Sequence, residues 1–339
     1  MRIAQYQLVT AVLVPAFAAL APAPAVQAAD GLTGVSSIRA LADDRTLGAS
    51  QESMITRFAE EAARALSAMN PSEDHLEAVR ADLMAPLSGE CTPAFARAYG
   101  ARMLEAFGEY DDDARTPQQQ MIAFSVLAAT GSSATLLDLA ERILDLDADA
   151  AAWKSMAMCQ TLSKGITKAT TLDLAERNRS DLARMLGRIA SRVSPSANRH
   201  VMEGFVVLGG GENEDIARRW ADALKALANR EALAIEDLLC MESATVKLRA
   251  VLLNPANRDT RDAREAAAKA LTPALLAFHA RSADHLDGDK GKNARLRAHL
   301  GRVDQVLSFL IPRGEPVVSL GALWDANDAK RLRDLGTVQ

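Results

Sequence analysis

The hexapeptide Leu-Asp-Leu-Ala-Glu-Arg occurs twice in the chain, at 137–142 and again at 172–177. The likeness extends backwards from both copies: residues 121–142 laid on 156–177 agree at 10 of 22 positions with a constant offset of 35. An offset of that length is one helix-turn-helix unit, and such a unit cannot bury its apolar face alone. Neighbouring hairpins must stack. The repeat therefore constrains the chain towards an array of antiparallel helix pairs, which builds surfaces more readily than pockets.

Helical periodicity runs through the rest of the chain. Apolar residues recur at three and four in Ile55, Phe58, Ala62, Leu66 and in Leu296, Leu300, Val303, Leu307, Leu310, whereas alternation at two is confined to short stretches such as Val317-Val318. Five helix starts are marked by a capping residue followed by proline: Asn70-Pro71, Thr92-Pro93, Thr116-Pro117, Ser194-Pro195 and Asn254-Pro255. The cap's side chain accepts from an orphaned N–H, and proline at the first helical position has no partner to lose. Pro273 falls within an apolar run and either starts a helix after Thr272 or kinks one. Gly131, Gly165 and Gly209 to Gly211 are expected near helix ends.

On this frame the first unit has a helix from the Thr116 cap to Ala129, a turn at Gly131, and a helix from Ser133 to Leu146 with Leu137, Ala140 and Leu144 on one face. The second unit repeats the plan from Asp149 and places Leu172 on the equivalent face. There the repeat degenerates, since Asn178 and Arg179 replace Ile143 and Leu144. A third pair, Ser194 to Leu208 and Asn213 to Ala228, has Ile216, Trp220, Leu224 and Leu227 as its inner stripe. Residues 116–228, with their hairpin length, proline-marked starts and repeated hexapeptide, resemble the HEAT-like class of helical repeat proteins. The resemblance implies an all-α fold, an α-α superhelix or solenoid of antiparallel hairpins with flanking capping helices. It carries over no functional residue. The Trp, Gly, Tyr and Ala positions of tetratricopeptide repeats are not reproduced.

The expected organisation is a signal peptide at 1–28, a flexible segment at 29–48, N-terminal helices at 49–115, the repeat core at 116–228, and C-terminal helices with a tail at 229–339. Arg2, the apolar stretch Leu8 to Leu20 and the tail that ends Ala-Val-Gln-Ala have the three parts of a secretory signal, with cleavage after Ala28. The chain is then expected to be periplasmic or secreted, without membrane insertion after cleavage. A formal net charge of −5 with both signs interspersed disfavours nucleic acid as a partner. Aromatic residues at 4% disfavour a sugar-stacking groove. Cys91, Cys159 and Cys240 permit one bridge, and three buried free thiols are the preferred reading.

Chemistry is sparse. The segment Phe278 to Asn293 holds His279, Asp284, His285 and Asp287, residue types that ligate metal ions, but His279 and His285 are about 120° apart around a helix. Asp287-Gly288-Asp289 lacks the order of a calcium loop. A solvated helix end with a polar turn accounts for the cluster. The glycines at 209 to 211 have no Gly-Lys-Ser/Thr after them, Asp111 to Asp113 read as a charged turn, and Glu60-Glu61 point to different parts of a helix surface. There is no Gly-x-Ser-x-Gly and no His-Glu-x-x-His; His75, His200 and His299 have no local partner at a recognisable spacing. No catalytic residue and no cofactor is expected. The function expected from the sequence is an exported, non-enzymatic binding or scaffold protein that engages a protein or peptide through its helical surface. The alternative is a hydrolase or metal-dependent enzyme with a site assembled from dispersed residues.

Overall fold

The computed structural model describes residues 31–336, apart from 111, 113, 148–150, 173, 255–260, 288, 289, 312–317 and the side chains of 261 and 290–292. The signal-peptide segment 1–28, Pro255, Val317 and the outer aspartates of the 111–113 run lie outside the described residues. Those described form helices and connecting turns, with no strand among them.

The helices are α1 (Val35–Ala40), α2 (Ala49–Leu66), α3 (Glu73–Met84), α4 (Pro93–Phe107), α5 (Pro117–Ala129), α6 (Ser133–Asp145), α7 (Ala152–Thr171) and α8 (Glu176–Ala190). They continue with α9 (Pro195–Leu208), α10 (Glu214–Ala228), α11 (Ile235–Leu239), α12 (Glu242–Leu253), α13 (Arg261–Ala280), α14 (Lys290–Leu310), α15 (Leu320–Asp325) and α16 (Ala329–Leu335). Packing follows a rule of alternation. In one row α2 packs on α4, α4 on α6, α6 on α8, α8 on α10 and α10 on α13; in the other α3 packs on α5, α5 on α7, α7 on α9, α9 on α12 and α12 on α14.

The proline-marked starts at Thr92, Thr116 and Ser194 form as expected, each hydroxyl accepting from the N–H three residues on. At Thr116 the cap is reciprocal, because Gln119 Oε1 accepts from Thr116 N at 2.7 Å. Gln119 Nε2 also donates to Leu66 O at 2.5 Å, tying α5 to the end of α2. Two other starts differ. Asn70 has φ 52°, and the chain turns there before Ser72 caps α3. Asn254 follows the last residue of α12 as its C-cap, and the residues after it, on which a helix start there depends, lie outside those described. Pro273 lies inside α13, where the missing N–H leaves the Lys269 carbonyl without its intrahelical donor. Leu271, Ala274, Leu275 and Phe278 are buried on either side of it, and this packing along α10 holds the helix together.

The anticipated core residues Ile55, Phe58, Ala62, Leu66, Ile216, Trp220, Leu224, Leu227, Leu296, Leu300, Val303, Leu307 and Leu310 are all buried. Burying a leucine or isoleucine side chain is worth about 1.5–3 kcal/mol, so these stripes supply the main drive for packing. Trp220 stacks on Phe205 with ring centroids 5.9 Å apart and donates its indole N–H to Met202 Sδ at 3.2 Å. The segment 29–48, expected to be flexible, carries α1 in its described part and puts Leu32, Ile38, Leu41 and Ala42 into the core. Cys91, Cys159 and Cys240 are buried and unbridged. Burial pushes the Cys159 and Cys240 thiols up to about 12, which keeps them protonated and unreactive.

The second copy of the hexapeptide is not where the repeat placed it. The first copy lies wholly within α6, but in the second Leu172 caps the end of α7 and Ala175 caps the start of α8. The first helices of the two units start at the expected spacing, from the caps Thr116 and Ala151; α7 then runs on for 20 residues where α5 has 13. Gly131 has φ 63°, a left-handed turn that suits glycine, and it ends the first helix. Gly165, expected near a helix end, instead lies within α7. A Cβ there would collide with Leu136 Cδ2 and meet Ala128 O at 2.9 Å, so its role is to let α7 approach α5 and α6 closely.

Candidate functional site

The four metal-ligand candidates do not converge. His279 is fully buried, while Asp284 pairs with Arg281 Nε at 2.9 Å and lies 3.6 Å from Arg333 Nε. His285 Nε2–H donates to Leu233 O at 2.8 Å, and Asp287 is exposed. Among the described residues no group of three or more His, Cys, Asp or Glu side chains could hold a metal ion. Asp112 caps a local turn by accepting from Ala114 N, and Glu61 accepts from both the N–H and the hydroxyl of Thr33.

The actual partner of His279 is His299, twenty residues away on α14. His279 Nδ1–H donates to Leu275 O at 2.8 Å, which leaves its Nε2 to accept from His299 Nε2–H at 3.1 Å. Nδ1 of His299 is then a buried acceptor with no hydrogen-bond partner among the described residues. Burial drives His279 down to about 4, against a backbone hydrogen bond and the charge of Asp304, and drives His299 well below its ordinary value, helped by His279. Two neutral rings joined head to head are core groups out of reach of any substrate.

A better site lies on the row of α7, α9 and α12. These helices enclose a recess of about 200 Å³ lined by Gln160, Ser163, Lys164 and Thr167 of α7, His200 and Glu203 of α9, and Lys247 of α12. The positions follow from the inner stripes. On α7, Met158, Leu162 and Ile166 are buried, which turns Gln160, Lys164 and Thr167 outwards; on α9, Val201, Met202 and Phe205 are buried, which leaves His200 and Glu203 half-covered.

Charge in the recess is organised around Glu203. Lys247 Nζ donates to its Oε2 at 2.7 Å, Arg199 Nε stands 3.7 Å from Oε1, and Ser243 adds a hydrogen bond. Burial by itself would raise this carboxyl, but those hydrogen bonds and the charges of Lys247 and His200 hold it below the usual range. His200 is pushed down, first by burial and then by Arg199, Lys164 and Lys247, with Glu203 opposing. Neither the His200 ring nor the Lys164 ammonium makes a hydrogen bond or ion pair among the described residues, nor does the Gln160 side-chain amide.

Ser163, His200 and Glu203 are residue types that serve in nucleophilic relays. No hydrogen bond links Ser163 to His200 or His200 to Glu203 among the described residues, and Ser163 is buried beneath the recess. The arrangement offers unpaired donors instead: an ammonium, an imidazole and an amide facing one small space. These residues come from three helices far apart in sequence, so no local spacing marks them. Comparisons with protein-family models, with curated proteins and with solved structures give no match for this chain.

Proposed function

We propose that the chain is an exported binding or scaffold protein, built as an α-α superhelix of antiparallel hairpins, that engages a protein or peptide partner with the exposed face of α7, α9, α12 and α14. The alternation of packing carries this reading. Each helix rests on the second or third one along, an arrangement that stacked hairpins produce when they form two rows and leave each row one open face.

The two faces differ in chemistry. Helix α7 presents Lys164 and Lys168 and no acid, and α12 adds Lys247 and Arg249 against Glu242 alone. On α8 and α10 acids and bases alternate and pair locally, as in Arg184 with Asp181, Arg218 with Glu214 and Arg219 with Asp215. Met156, Val246, Leu253 and Phe309, four of the exposed large apolar side chains, belong to α7, α12 and α14. A cationic face with scattered apolar residues suits a partner that is acidic and partly apolar. Among the described residues no helix is long and apolar enough to cross a membrane.

The experiment is cross-linking of the purified chain to exported proteins of its source, with the linked lysines mapped. Links at Lys164 and Lys247 support the reading. Links confined to Lys225 of α10 and Lys269 of α13 place the partner on the other row and overturn it. Small-angle scattering tests the architecture, since a superhelix must be longer in one dimension than a bundle of equal mass.

A further inference from the structure

We propose that the recess between α7, α9 and α12 receives a carboxylate side chain of an acidic peptide segment laid across these helices, with Lys164, His200 and Gln160 as the donors. The inference rests on the binding reading above and specifies its ligand. Glu203 is already countered by Lys247 and Arg199, so the recess is not seeking another cation. What it lacks is an acceptor. Among the described residues Lys164 Nζ, a ring nitrogen of His200 and the Gln160 amide are without partners, and one carboxylate offers two oxygens with about four lone-pair positions.

Size and setting narrow the occupant. A recess of about 200 Å³ is below the ~300–1,000 Å³ usual for whole small-molecule ligands but ample for the end of a side chain. Met156 lies on α7 and Val246 and Leu253 on α12, all exposed, so a peptide would gain apolar contacts that free glutamate or phosphate could not. With the chain at −5 overall, attraction of an acidic peptide must be local to this face. The groups that face His200 are Lys164 from α7, Lys247 from α12, and Arg199 and Glu203 from its own helix. A carboxylate arriving beside it favours the imidazolium, so binding takes up a proton and strengthens as pH falls.

The test uses the full chain and a fluorescein-labelled hexaglutamate peptide, followed by anisotropy at pH 7.5 and pH 5.5. Binding should be tighter at pH 5.5. Lys164→Ala should weaken it by about tenfold or more, the usual consequence of losing a charge-assisted hydrogen bond, and Lys164→Arg should restore most of the loss. His200→Ala should remove the pH dependence. Lys225→Ala, a cation on α10, should change nothing, and equal losses in Lys225→Ala and Lys164→Ala would reveal diffuse attraction and overturn the site. Free glutamate or inorganic phosphate that shifts the His200 ring NMR signals while the peptide does not bind would overturn the peptide occupant. Absence of all three would overturn the recess as an anion site. A partner cross-linked only to the opposite row would instead remove the functional reading, whatever the recess binds.

Discussion

At 137–142 the chain is in the middle of α6; in the second copy Leu172 caps the end of α7, Ala175 caps the start of α8, and Glu176 and Arg177 lie within α8. Some of the hexapeptide is treated alike in both settings. Leu137 and Leu172 are half-buried, Leu139 and Leu174 are buried, and Glu141 and Glu176 are exposed. The difference lies in the residues immediately beyond each copy. After the first copy Ile143 and Leu144 extend the stripe of Leu139 and Ala140, so helix and core continue together. After the second, continued helix would carry Arg177, Asn178 and Asp181 into the positions where a stripe from Leu174 must go. The chain turns instead, and the apolar stripe restarts at Leu182, Ala183 and Leu186. A hexapeptide can thus specify which of its residues are covered without specifying the backbone that covers them.

Proline breaks the comparison most sharply. Ala140→Pro removes a helical hydrogen bond and overfills a fully buried site, and should cost at least ~3 kcal/mol. Ala175 has φ −58° and ψ 143° at a helix N-cap, a conformation that proline accepts, so Ala175→Pro should stay within about 1 kcal/mol. Urea unfolding of the full-length variants measures both. Equal losses would mean that 172–177 is helical after all.

The measurements belong above pH 7, because the buried histidine pair moves the baseline. The folded pKa of His279 is lowered from 6.5 to about 4, so between these values the unfolded chain binds more protons. Stability should be fully present above about pH 6.5 and fall as pH drops towards 4, by up to ~3 kcal/mol from this residue alone. A melting temperature that is flat from pH 7.5 to 5, or as steep in His279→Gln as in the native chain, would contradict the neutral pair.

Smaller effects sharpen the contrast. Gly165→Ala puts a methyl group against Leu136 and Ala128 and should cost about 1–3 kcal/mol, as overpacking does. Arg142 pairs with Asp138 at 2.9 Å, donates to Gly108 O at 3.2 Å and lies 4.5 Å over the Tyr110 ring, whose hydroxyl donates to the same Asp138. Its twin Arg177 has a side chain 93% exposed. Arg142→Ala should therefore cost about 1–2 kcal/mol and Arg177→Ala less than about 0.5 kcal/mol. Glu141→Ala and Glu176→Ala should both fall within about 0.5 kcal/mol, and a larger loss from either would expose a contact that exposure does not reveal.

Local chemistry made much of this fold legible. Thr116 with Gln119, and Ser194 with Pro195, fix where helices begin because the cap and its receiver are within one turn. The stripes of α2, α10 and α14 were readable for the same reason. Misreadings arose where a second signal competed. Asn70-Pro71 looks like a start, but Ser72 stands at a better distance from the stripe of α3, and asparagine tolerates the left-handed turn that precedes it. The boundary between α7 and α8 was hidden by identity to a helical segment, although the polar run Arg177 to Asp181 could have betrayed it. The recess was illegible. Lys164, His200 and Lys247 meet only because α7, α9 and α12 pack side by side, and the lining residues carry no motif. His299 was likewise unpartnered in sequence, since its partner comes from another helix.

The alternation of packing also bears on how the chain is made. Each helix finds its main neighbours within the next two or three helices, so few contacts await the far end of the polypeptide. A topology of short-range closures folds quickly and can proceed in the order of synthesis or translocation. Cys91 would then be covered by early pairs, Cys159 by middle ones and Cys240 by late ones. In an oxidising compartment each thiol would be sheltered before the next emerged, and the order of assembly would itself protect the three cysteines from being joined.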